Sequence, residues 1–176
     1  MSRFKKWQER YRAHRGLRWA VDLSVMLAIV LVIGAFQTRN HPRGAAPAYT
    51  FTTLEQATVT LASLAGKPTL LAVWAPWCGV CKAESDNVSR ARAWLGDRAH
   101  VVSVSTAYND VSEVRKYMAA QGVDYPVLLA QDDFQKLMHI EAFPTVFVLD
   151  SQGHIVSSMQ GYTTTLGLVL RTLWAG

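Results

Sequence analysis

The most apolar stretch of the chain is Trp19–Phe36, WAVDLSVMLAIVLVIGAF, with Asp22 its only charge. At about 1.5 Å per residue such a helix covers about 27 Å, close to the hydrocarbon thickness of a bilayer. The pattern predicts a membrane-spanning helix over residues 19–37. Residues 38–48 turn polar and then rich in Pro, Gly and Ala, and read as a linker. From Tyr49 the pattern becomes β-branched and alternating. Short strands are expected at Tyr49–Thr53 and Thr58–Thr60, a helical turn at Leu61–Leu64, and a fully buried strand at Thr69–Trp74. A helix follows over Gly79–Trp94, with Val80, Glu84, Val88, Ala91 and Leu95 on its inward stripe. His100–Thr106 reads as a strand. Val111–Gln121 reads as a helix that turns Val111, Val114 and Met118 inward and stops at Gly122. A short strand at Pro126–Ala130 precedes a short helix at Asp132–His139. Thr145–Asp150 and His154–Gln160 form a hairpin around Ser151-Gln152-Gly153. The last element is an amphipathic helix, Thr163–Trp174, expected to bury Leu166, Val169, Leu170, Leu173 and Trp174. Strands alternating with helices imply an α/β fold around one mixed sheet over residues 49–176.

Charge sharpens this division. Residues 1–44 carry nine Lys/Arg against Glu9 and Asp22, whereas the rest carries nine against eleven acids. The basicity is that of an N-terminal arm, residues 1–18, and not of a nucleic-acid-binding surface, so a nucleic-acid partner is not expected. Basic residues crowd the N-terminal flank of the apolar run. The positive-inside rule therefore leaves the arm cytoplasmic and the globular part on the opposite side. Trp7, Tyr11 and Trp19 are candidate interfacial aromatics. A cleaved signal peptide is the alternative, but Ala46-Pro47-Ala48 lies far beyond the apolar run and places a proline between its small residues. Under either reading the globular domain is exported.

Cys78 and Cys81 are the only cysteines. A disulfide across two residues closes almost no loop, so it contributes little to stability, and redox exchange is the better reason for the spacing. Cys78 falls at the start of the expected helix, where unpaired N–H groups and the helix dipole favour a thiolate. It is the expected nucleophile, and Cys81, one turn later, the thiol that resolves a mixed disulfide. Half of a zinc site is the other use of such a pair, but the chain has no further thiolate. His14, His41, His100, His139 and His154 are scattered, and no metal or other cofactor is expected beyond the redox-active disulfide.

The segment VWAPWCGVCKAE resembles the thioredoxin superfamily, and within it the membrane-anchored TlpA-like branch. That branch includes reductases of cytochrome c maturation and ScsD-like proteins linked to copper tolerance. FTTLEQATVTLASLAGKPTLLAVWAPWC, YPVLLA and FPTVFVLDSQGHIV extend the resemblance over residues 49–176. It implies a thioredoxin-like fold, a central mixed sheet flanked by helices, preceded here by a single N-terminal transmembrane helix. It also implies thiol–disulfide oxidoreductase activity in the periplasm, tethered to a bacterial inner membrane, with reduction of exported protein disulfides the preferred direction. Disulfide oxidation or isomerisation, or Cu(I) binding without catalysis, are the alternatives. The implied partners are exported protein thiols and disulfides and a membrane electron-transfer protein that recycles the pair. In this family the motif matching Phe143-Pro144-Thr145 contains a cis proline beside the CxxC and offers backbone to a peptide. Glu84 matches an acid that tunes the cysteines, and Trp77 is expected to shield the thiol and shape the groove. Ala72 stands where thioredoxins proper carry a buried aspartate. Gly79-Val80 and Asp86 also depart from common patterns, which leaves the redox potential open.

Overall fold

The computed structural model describes residues 15–176. Trp7, Tyr11 and the first fourteen residues of the basic arm lie outside the described residues. Helix α1, Arg15–Gln37, is the one described helix long and apolar enough to cross a membrane. Packing divides the chain into two units after Arg39.

In the second unit, β1 (Gly44–Ala45), β2 (Thr50–Thr53), β3 (Thr58–Thr60), β4 (Thr69–Trp74), β5 (His100–Ser105), β6 (Val127–Leu129), β7 (Thr145–Leu149) and β8 (His154–Gln160) form one sheet in the order β1-β8-β7-β4-β5-β6-β2-β3. β4 is central and buried along its whole length. It runs parallel to β5 and antiparallel to β7. Its alternate side chains serve two cores, as the period-2 geometry of a strand requires. Leu70 and Ala72 pack with Val88, Ala91 and Leu95 of helix α2 (Gly79–Leu95) and with Leu168 and Val169 of helix α5 (Thr165–Leu173). Leu71 and Val73 pack on the other face with Phe51, Phe147 and Phe134, the last from helix α4 (Asp132–Leu137).

Helix α3, Val111–Gln121, starts where the Asp110 carboxylate accepts the Ser112 N–H and ends at Gly122, which takes the left-handed φ of 59°. Such an ending suits glycine because no Cβ clashes there. The expected elements of the second unit are present with ends shifted by one or two residues, as fraying ends commonly are, and α1 begins four residues before the expected span.

Three expectations fail in detail. Val80 is exposed, while Cys81 and Glu84 of the same helix are buried. On α3, Tyr117 is buried beside Val114, whereas Val111 and Met118 are only half covered. The largest correction concerns α5. Val169 is buried as expected, but Leu166, Leu170, Leu173 and Trp174 are exposed, while Thr165, Leu168 and Thr172 face in. The helix has apolar residues on nearly every side, so hydrophobicity alone does not set its rotation. Hydrogen bonds between Thr165 and both Arg90 and Asn87 of α2 do.

The segment read as a linker is partly attached to the domain. Gly44 and Ala45 pair with Ile155 and His154 along the outer edge of β8. His41 is buried against Phe147, ring centroids 5.2 Å apart, with both ring nitrogens lacking hydrogen-bond partners. Burial lowers its pKa, since a charged ring there loses its hydration.

Candidate active site

The buried strand β4 ends at Trp74, and the chain turns through Ala75-Pro76-Trp77 into α2. Cys78 is the N-cap of that helix, in an extended conformation, and its Sγ accepts the N–H of Cys81 at 3.1 Å. This is the place where a thiolate would satisfy a helix donor that has no partner within the helix. Cys78 and Cys81 are joined by a disulfide, with Cα atoms 5.3 Å apart. The two cysteines are nearly equal in burial, so their expected division of labour rests on position in the helix and not on exposure.

Phe143 and Pro144 reach the pair through sheet register. Thr145 opens β7 opposite Val73, which sets the preceding residues beside the end of β4. The Phe143–Pro144 peptide is cis, as the resemblance implied. Phe143 packs on the apolar cluster that contains Cys78, Cys81 and Trp74. Thr145 is buried, and its hydroxyl donates to the Ala142 carbonyl at 2.8 Å, which ties down the loop before the proline.

Trp77 is 67% exposed, which excludes a core role. Its indole N–H donates to the Ala107 carbonyl at 2.9 Å, and its ring meets Phe143 edge-on at 5.8 Å. The ring is thus exposed yet fixed at two points. An open groove of about 430 Å³ continues from it, lined by Pro76, Lys82, Asn109, Glu113, Lys116 and Tyr117 among others. Trp74, the last residue of β4, is core, stacked on Tyr117 at 4.1 Å.

Glu84 is 2% exposed, one turn after Cys81 on α2. Burial raises its pKa to about 7, against the opposing effect of a Thr163 N–H that donates to Oε1 at 2.7 Å. Near neutral pH this carboxyl is divided between its two protonation states, which suits a group that takes up and returns a proton. Ser85 and Tyr125 share a buried hydrogen bond at 3.0 Å in the same region. Two contributors escape sequence reasoning, Thr163 and Ala107. Both act through backbone groups, which leave no side-chain signature. Ala107 does adopt a positive φ of 52°, uncommon for alanine and visible only in the folded chain. Among the described residues, no group of three or more His, Cys, Asp or Glu is placed to hold a metal ion.

Comparison with known proteins agrees with this geometry. The chain is 28% identical over 112 residues to the thioredoxin-like protein YneN of Bacillus subtilis, covering 62% of this chain and 66% of that protein. It is 26% identical over 108 residues to the thiol-disulfide oxidoreductase ResA of Bacillus subtilis, covering 60% of each. The chain thus spans just under two thirds of the length of these relatives. A solved thiol:disulfide interchange protein of the thioredoxin family from Chlorobium tepidum superposes with a TM-score of 0.65 at 24% identity, covering 77% of this chain and 98% of that one, a likeness of fold. The Redoxin family pattern matches residues 42–167, from the strap beside β8 through the cysteine turn and into α5, and the chain belongs to that family.

Proposed function

We propose that this protein is a membrane-tethered thiol–disulfide oxidoreductase that reduces disulfides in exported proteins. The observation that carries the reading is the Cys78–Cys81 disulfide at a helix N-cap, facing Phe143-Pro144 and flanked by a fixed, exposed Trp77. In the reduced state the Cys78 thiolate attacks one sulfur of a client disulfide. A Cys78–client bond forms and one client sulfur leaves as a thiolate. Cys81 then loses its proton and attacks Cys78 Sγ, and the second client sulfur leaves. The client gains two electrons and takes up two protons, and the domain is left with the Cys78–Cys81 bond. Glu84 takes the Cys81 proton. Trp77, Phe143 and the backbone around Thr145 hold the client strand.

Helix α1 anchors the chain with its N-terminus in the cytoplasm and the catalytic domain in the periplasm, and a dithiol on a membrane electron-transfer protein restores the reduced pair. The clients belong to cytochrome c maturation or to repair of thiols oxidised under copper or oxidative stress. The ResA relative, itself named a thiol-disulfide oxidoreductase, supports the reaction class.

Two measurements test this. A Cys81→Ser chain in membranes should accumulate exported proteins as mixed disulfides through Cys78, and an empty trap would overturn the exchange mechanism. The reduction potential of the pair fixes the direction. A value near about −270 mV supports reduction, whereas one near about −120 mV makes the protein an oxidase.

A further inference from the structure

The end of the sheet opposite the cysteines has its own character. Gly44, Ile155, Leu149, Thr69 and His100 lie side by side in one row across five strands. Cys78 follows the other end of β4, five strand steps away, or about 17 Å. The register of β8 slips beside this row, leaving Val156 exposed and without a partner on β7. Helix α5 begins next to Glu84, near the cysteines, and its far end brings Gly176 against Pro68, the residue before Thr69. The exposed Leu170, Leu173 and Trp174 therefore sit at the row end, and Leu170 and Trp174 line an open groove of about 490 Å³ with Val156 and Arg171. Trp94, at the last turn of α2, is exposed at the same end.

We propose that this end of the domain docks on the surface of the bilayer crossed by α1, with Trp94 and Trp174 at headgroup depth and the cysteines held above it, where the recycling dithiol meets them outside the bilayer. This rests on the anchoring proposed above. The occupant follows from chain length. Gln37 ends α1, and His41 is the first residue buried in the second unit, four residues later. Four residues reach at most about 14 Å, so the domain cannot leave the membrane surface. His41 itself packs beside Phe147 at mid-strand, on the sheet face opposite α5, and the chain then joins the sheet at Gly44, in the row beside the apolar groove. Exposed tryptophans are the side chains that favour a membrane–water interface, with an apolar ring and an N–H for the headgroups. Arg171, Arg98 and Lys67 at this end suit phosphate headgroups, with Asp97, Asp124, which is paired with Arg92, and Asp150, which is paired with His154, the acids nearby. A tether this short makes docking effectively intramolecular, so a weak patch suffices.

The test uses the full oxidised chain in vesicles of phosphatidylethanolamine and phosphatidylglycerol. Its native cysteines are joined, so a nitroxide attaches only to an introduced one. Labels at Leu170→Cys, Glu113→Cys and Ile29→Cys report the row end, the cysteine end and the span. The ratio of oxygen to nickel-chelate accessibility at 170 should exceed that at 113 severalfold, with the label at 29 deep in lipid. Equal ratios at 170 and 113, with 29 still deep, overturn docking while leaving the anchor intact. A nickel-accessible label at 29 overturns the anchor and docking together. Protection at 170 with spin–spin broadening that grows with protein density assigns the patch to a second copy and overturns the lipid assignment. Should a labelled variant not fold, brominated lipids supply the same reading. They should quench the native chain more than Trp174→Phe, and equal quenching overturns the proposal.

Discussion

Trp77 and Trp174 are both exposed aromatics, at opposite ends of the same sheet, and they are held differently. Trp77 is fixed by a hydrogen bond to Ala107 and an edge contact with Phe143. Trp174, 82% exposed, closes a helix whose neighbouring apolar residues are exposed too. A ring that must present a defined wall to a client is oriented at several points, while an apolar band meeting a fluid partner needs only composition and position. The cysteine end is built for geometry and the tether end for area.

The largest effect that tests the comparison belongs to the cysteine end. Cys78→Ser should lower disulfide reductase turnover by at least about 10³-fold with little change in thermal stability. A variant retaining a tenth of the activity would place the chemistry elsewhere. Helix α5 separates its two faces by the next largest effect. Leu168→Ala, at a fully buried position, should cost about 2–5 kcal/mol in urea unfolding, and Leu166→Ala, at an exposed one, less than about 0.5 kcal/mol. Similar costs would mean that the outward face is covered within the fold.

Glu84 gives a pH signature. Its folded pKa of about 7 exceeds the ordinary 4.5, so the folded chain holds a proton that the unfolded chain has released between these values. Stability should fall as pH rises from about 4.5 to 7 and then level off, by on the order of 2–3 kcal/mol. Glu84→Gln retains an acceptor for the Thr163 N–H, so it should flatten that slope and stabilise the protein at pH 8. It should also slow release of the mixed disulfide above pH 7. An unchanged slope would show that Glu84 is hydrated in solution. The smallest effect is expected at Trp77. Trp77→Ala should raise KM for a disulfide peptide by about 3–10-fold, and Trp77→Phe by less, because a ring still meets Phe143. A change in kcat alone would assign the indole to the chemistry and not to binding.

Much of the cysteine end was legible before folding. The CxxC spacing, the buried run Thr69–Trp74 before it and Glu84 on the apolar stripe place the pair at a strand-to-helix turn, and the structure has them there. The resemblance supplied Phe143-Pro144, whose approach no local pattern reveals. The groove was less legible. Ala107 and Thr163 contribute a carbonyl and an N–H, which every residue possesses, so only their placement distinguishes them. The segment 38–48 read as linker because Pro, Gly and Ala carry no strand signal, yet the free edge of β8 pairs with Gly44 and Ala45. The rotation of α5 was not legible either, because apolar residues on most of its sides fit two opposite burials.

The sequence by itself determined the order of elements from β2 onward, the apolar span and the redox pair, since these follow from local periodicity and spacing. Tertiary structure decided which face of α5 turns outward, where the tether meets the sheet and which backbone groups meet Trp77 and Glu84. These depend on contacts between residues far apart in the chain, and hydrophobic pattern alone does not choose among them.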